Sequence, residues 1–210
     1  MTEKGHYNKV AGKSTERTIA ISDGVFGVAL TLLMIELKAP VSEAISSEKE
    51  LIDLFLELSP KFLVSFLAFM TTGIFWMGQS TQYQYIKKSD RNLSWINLLF
   101  LLQVALLPFT TAFLGNYINK FKFPIGIYWL NLFLLGAILY IHWVYAVKHN
   151  LVDPEIIEKV NKPIKTRIIV AQSLYLAGVL LCFVNSYLSI GVIIAIQLNY
   201  AFVFINGPKT

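Results

Sequence analysis

The chain has 210 residues, 55% hydrophobic, 14% aromatic and 15% charged, with a formal net charge of +5. Its mean hydropathy is +0.57. A soluble domain is about 45–50% apolar and about 25% charged, so the excess belongs in a lipid bilayer. One cysteine, Cys182, excludes an intrachain disulfide and a cysteine metal cluster. The same arithmetic excludes a secreted disulfide scaffold, a soluble two-domain enzyme and a nucleic-acid-binding arm.

Residues 1–16 are polar and read as a tail, residues 17–206 as one transmembrane domain, and residues 207–210 as a second tail. A span needs about 20 mostly apolar residues. Six stretches offer one: Arg17–Leu37, Pro60–Tyr85, Leu93–Tyr117, Pro124–Val147, Ile168–Leu188 and the shorter Ile190–Phe204. The first carries Arg17 and Asp23 and has no clean cleavage site after it, so it is not a signal peptide. Between the first two spans, Leu51, Ile52, Leu54, Phe55 and Leu56 have the spacing of a short amphipathic helix lying on a membrane surface. The segment Lys148–Thr166 reads as a solvated connector, with Asp153-Pro154-Glu155 opening a short helix. Asn185, Ser186 and Tyr187 are the turn between the last two spans.

Basic residues orient a membrane protein. One side receives Lys4, Lys9, Lys13, Arg17, Lys87, Lys88, Arg91, Lys148, Lys159, Lys162, Lys165, Arg167 and Lys209. The other side receives Lys38, Lys49, Lys61, Lys120 and Lys122, beside an acidic loop with Glu43, Glu48, Glu50, Asp53 and Glu57. Both termini are therefore expected in the cytoplasm, in a multi-pass protein of the cell (inner) membrane. The net charge reports loop topology and not a nucleic-acid partner.

The first span holds the unusual chemistry. Ionisable groups at the centre of a span cost about 2.5–3.5 kcal/mol on insertion scales, so Arg17, Asp23 and Glu36 need partners or water. At about 100° per residue, Arg17 and Asp23 lie about 240° apart and share no face. Val28, Thr31 and Ile35 fall within about 40° of Gly24, forming one narrow stripe. Periodicity alone does not separate a helix–helix seam from a pore wall, and the small glycine favours the seam.

The run Arg17-Thr-Ile-Ala-Ile-Ser22-Asp23-Gly24-Val25-Phe26-Gly27-Val28-Ala29-Leu30-Thr31 resembles the first-helix signature of the prokaryotic transmembrane protein 175 family. Phe75-Trp76 also fits that family, as do Trp95-Ile96-Asn97 and Leu107-Pro108-Phe109. The resemblance covers about the first 115 residues; beyond them it rests on span count. The sequence departs from the family pattern in two respects. Ile21 stands where the family has phenylalanine, and Gln79 and Ser80 occupy the region where it tends to carry histidine. Gln79 hydrogen-bonds but does not ionise.

The resemblance implies an all-α integral membrane protein with six transmembrane helices per subunit. It implies a homotetramer whose first helices line a central pore, conducting potassium in preference to other monovalent cations. The chain lacks the Thr-Val-Gly-Tyr-Gly carbonyl filter of ordinary potassium channels, as the family does. The resemblance turns the reading of the stripe, so that Gly24, Val28, Thr31 and Ile35 become the expected pore wall. Arg17, Ser22, Asp23, Gln79 and Asn97 become the expected structural or gating network. The permeant ion is potassium, and no cofactor or resident metal is expected.

Two rivals come from other classes. A secondary ion or solute transporter would use broken helices, for which Pro108, Gly178 and Asn185 are candidates, although they do not fall in matching halves. An intramembrane enzyme would need chemistry from His6, His142 or His149. No histidine and glutamate pair has the spacing of a zinc site, and His142 and Cys182 read as packing residues.

Overall fold

The computed structural model describes residues 12, 14–39, 45–118, 120–183 and 185–205. The expectations for 1–11, 13, Glu43 and 207–210 lie outside the described residues. The chain is helical throughout. Ser14 accepts the Arg17 N–H at 3.3 Å and opens α1, Thr15–Ile35. Ser47 opens α2, Glu48–Glu57, accepting the Glu50 N–H, while Glu50 itself accepts from the Ser46 N–H at 2.8 Å. This resembles a capping box, except that Glu50 reaches the N–H one residue before the cap. Next come α3, Ser59–Tyr85, and α4, Arg91–Tyr117, capped by Asp90 on the Leu93 N–H at 2.7 Å. α5 is Phe123–Lys148, α6 is Pro154–Leu180, and a 3-10 turn, Leu181–Phe183, leads to α7, Ser186–Ile205.

α3 sits at the centre, packing against α1, α4, α5 and α7. α4 and α5 form the most extensive pair, and α6 closes on α5 and α7. Phe26, Leu33, Leu67, Phe100, Leu107, Leu132 and Leu135 meet in one core. Lipid is as apolar as leucine, so this core is held by close packing and buried polar contacts more than by escape from water. Gly178 allows one such approach: a Cβ there would lie 3.0 Å from Ile193 Cγ1. Ser189 Oγ donates to the Gly178 carbonyl at 2.8 Å across the same junction.

Four of the expected spans, α1, α3, α4 and α5, are long and apolar enough to cross a membrane. Their ends fall within two residues of the sequence-based bounds. The outer-loop helix is present as α2, and none of its residues is buried. Pro108 lies inside an unbroken α4.

Two expectations need correction. The segment before the fifth span is not a solvated connector, and the fifth span does not begin a new helix at Ile168. Both belong to the single 27-residue α6. Its first half packs Ile157, Val160 and Ile164 onto a second core of Tyr83, Ile86, Leu93, Trp143, Ala146, Leu151 and Val152. Trp143 Nε1 donates to Asn161 Oδ1 at 3.1 Å, and Ile86 pairs with Val152 across a short antiparallel bridge. The turn between the last two helices also comes earlier than expected. Asn185 caps α7 by accepting the Leu188 N–H at 3.2 Å, and Ser186 and Tyr187 are already helical.

Candidate functional site

α1 has two unlike faces. Ser22, Phe26, Ala29 and Leu33 recur at helical spacing and are buried against the bundle. Gly24, Val28, Thr31 and Ile35 face away and are exposed on the single chain, Val28 by 58% and Ile35 by 67%. The stripe is therefore not a seam within the subunit. Beside it, Ile21, Val25, Leu32 and Ala105 of α4 edge an open apolar groove that also touches Gly24 and Val28.

Thr31 breaks the apolar stripe in a particular way. Its hydroxyl donates to the Val28 carbonyl at 2.8 Å. The proton is thus spent on the helix, and the remaining lone pairs of Oγ1 are left as acceptors. A hydroxyl in that state offers oxygen, and not a proton, to whatever passes the stripe.

About two and a half turns before Thr31, the buried side of α1 carries a closed polar knot. Ser22 Oγ donates to the Thr18 carbonyl at 2.7 Å. It accepts from Asn97 Nδ2 at 3.1 Å and from Gln79 Nε2 at 3.3 Å. Gln79 also donates to Asn97 Oδ1. A serine hydroxyl has one donor and two acceptor positions, and all three are used. All three side chains are at most 3% exposed. The knot joins α1, α3 and α4 without any ionisable member.

The structure thus brings together Ser22, Gln79 and Asn97 of the expected network and leaves Arg17 and Asp23 outside it. Helix geometry is the reason: from Ser22, Arg17 is turned about 140° and Asp23 about 100° around α1. Arg17 is exposed. Asp23 accepts a hydrogen bond from Trp76 Nε1 at 2.8 Å. That partner was not foreseen as part of the network, although tryptophan inside an apolar helix needs somewhere to place its N–H.

Other buried polar ties were missed as well. Each carries an amide or imidazole inside an apolar helix, which was the available signal. Gln82 and Tyr83 hold both ring nitrogens of His142, at 2.8 and 3.2 Å. His142 is therefore a packed, satisfied residue, as its isolation in sequence indicated. Asn131 donates to Gln103 Oε1 at 3.1 Å and accepts from Thr110 at 3.3 Å. Gln197 of α7 donates to Thr71 of α3. Among the described residues no group of three or more His, Cys, Asp or Glu side chains could hold a metal ion.

Comparison with known proteins follows the same segment. Residues 17–108 match the family described as endosomal/lysosomal potassium channel TMEM175. A protein of Chamaesiphon minutus named as a potassium channel is 27% identical, over 89% of this chain and 93% of its own. One from Streptomyces collinus, also named as a potassium channel, is 26% identical over 89% of this chain and 91% of its own. The crystal structure of a lysosomal potassium-selective channel TMEM175 homolog from Chamaesiphon minutus aligns with a TM-score of 0.76 at 24% identity. The match covers 90% of this chain and 96% of that one, so the two share a fold.

Proposed function

Residues 17–108 identify the chain as a member of the transmembrane protein 175 family, and from that premise we propose that it is a potassium-selective cation channel. Conduction is passive, through a central pore lined by α1 in a homotetramer. Each subunit contributes six transmembrane helices within residues 17–206, α6 and α7 supplying the last two. Both termini lie in the cytoplasm and the protein resides in the cell (inner) membrane. The observation that carries the reading is the bare face of α1, where an apolar stripe with one hydroxyl is left uncovered by its own subunit. Two similar proteins of nearly the same extent are named potassium channels.

The chemistry follows from that face. Repeated around a shared axis, Val28 and Ile35 form apolar rings that resist water and make an ion shed its shell. Potassium loses water more readily than sodium, so a narrow ring favours it. Thr31, with its proton held by Val28, returns oxygen to the partly dehydrated ion. Gly24 at the inner end keeps the wall thin. Ser22, Gln79 and Asn97 fix α1 against α3 and α4, so that the rings keep their radius. Asp23 is held by Trp76 on the flank of the stripe, and Glu36 with the acidic α2 segment raises the cation concentration at the outer mouth. A channel of this design needs no cofactor and performs no covalent chemistry.

Reconstitution into liposomes with opposed potassium and sodium gradients tests the reading. Single-channel currents with potassium favoured over sodium are expected. Flux that saturates at low ion concentration and requires a second coupled ion would assign the protein to the transporters instead.

A further inference from the structure

At the end of α1, Glu36 and Lys38 meet the first turns of α3 and the last turns of α4 around a cavity of about 220 Å³. Lys61 and Ser65 of α3 and Thr111 and Asn116 of α4 complete its polar lining. This cavity is unlike the apolar grooves beside Gly24 and between α5 and α6. Thr111 is 3% exposed, and its Oγ1 is buried without a hydrogen-bond partner. A threonine inside a helix ordinarily returns its proton to the carbonyl three or four residues back. Here Thr111 makes no such bond. Thr111 lines the cavity with its buried hydroxyl left without a partner.

Charge points the same way. No ion pair joins Glu36 to Lys38 or Lys61 among the described residues. Two ammonium groups against one carboxylate leave a surplus of one positive charge on the lining. The Lys61 stem runs beside Gly115, where a Cβ would sit 3.7 Å from Lys61 Cγ, so the stem lies along α4. A water molecule would satisfy Thr111 but not the surplus charge. An oxyanion bearing one negative charge satisfies both. The cavity also lies just past Ile35, where the apolar run of α1 ends.

We propose that this cavity binds a singly charged phosphate group. Lys38 and Lys61 supply the countercharge, and Thr111 donates a hydrogen bond to a phosphate oxygen. The group arrives either on an anionic phospholipid or as free inorganic phosphate. The site stands whether or not α1 lines a pore.

Native mass spectrometry of the detergent-purified protein tests it, with dioctanoyl phosphatidylglycerol, dioctanoyl phosphatidylcholine and inorganic phosphate as probes. Saturable binding of phosphatidylglycerol is expected, about tenfold tighter than of phosphatidylcholine. It should weaken about tenfold in Lys38→Gln/Lys61→Gln and about threefold in Thr111→Val, and stay unchanged in Lys120→Gln. Displacement by inorganic phosphate assigns the site to the free ion, and its absence assigns the site to the lipid. Equal binding of the two lipids, or undiminished binding in both cavity variants, overturns the proposal. Thermal unfolding of the wild type serves where a variant does not fold. Its midpoint should rise with phosphatidylglycerol or phosphate and not with phosphatidylcholine, and no rise with either overturns the proposal.

Discussion

The indole of Trp76 donates to Asp23 Oδ1 at 2.8 Å, joining residues 53 positions apart on α3 and α1. The bond holds a carboxylate beside Gly24, at the N-terminal end of the exposed stripe. Trp76→Phe keeps the ring and removes the donor. Both partners are partly exposed, so the loss should be about 1 kcal/mol. Asp23→Ala removes the acceptor and should cost a similar amount, and the double variant little more than either alone. Unfolding midpoints of the purified protein check this, and additive losses would mean that the two side chains are not coupled.

Ser22→Ala acts on a different scale. It leaves an Asn97 N–H and a Gln79 N–H without their buried acceptor, each costing about 1–3 kcal/mol. The expected result is a marked fall in the yield of folded oligomer on size-exclusion chromatography. Ser22→Cys keeps a weak acceptor and should fall between the two. A yield equal to wild type for Ser22→Ala would show that the knot does not hold α1.

The stripe makes separable predictions. Thr31→Val removes the oxygen and retains the shape, so the potassium-to-sodium permeability ratio should drop while the protein folds normally. Val28→Ala and Ile35→Ala widen the apolar rings and should raise conductance while lowering selectivity. Reversal potentials and unitary currents read these quantities. A stripe whose variants alter neither would be a contact between subunits and not the wall of a pore.

Gly136 supports the bundle far from that wall. A Cβ there would overlap Gln172 Nε2, which donates to the Leu132 carbonyl at 3.3 Å. Gly136→Ala should therefore expel the glutamine and cost about 1–3 kcal/mol in thermal stability. Adding Gln172→Ala relieves the clash, and the double variant should be more stable than Gly136→Ala alone.

Much of this was legible in the residues because the signals were local. Long apolar runs marked α1, α3, α4 and α5. Ser22, Gln79 and Asn97 were expected in a network through the family resemblance, together with Arg17 and Asp23, which the structure leaves outside the knot. What stayed hidden depended on distant partners. The stretch Pro154–Arg167 carries enough lysine and glutamate to read as a solvated loop. Its apolar residues Ile157, Val160 and Ile164 do have helical spacing, but the surface they cover comes from α3, α5 and the turn at Leu151–Val152. Asp23 and Trp76 had no local signal linking them, and the 240° separation of Arg17 from Asp23 showed only that these two do not pair with each other.

The second core, at the end of the bundle where α6 begins, has one more member: Ile19 of α1 packs against it, while Phe26, Ala29 and Leu33 pack into the main core. The first helix is therefore clamped at two levels, with Ser22 between them. Ile157, Val160 and Ile164 of α6 rest on the same second core as Ile19, so the segment that looked like a connector shares its footing with the first helix.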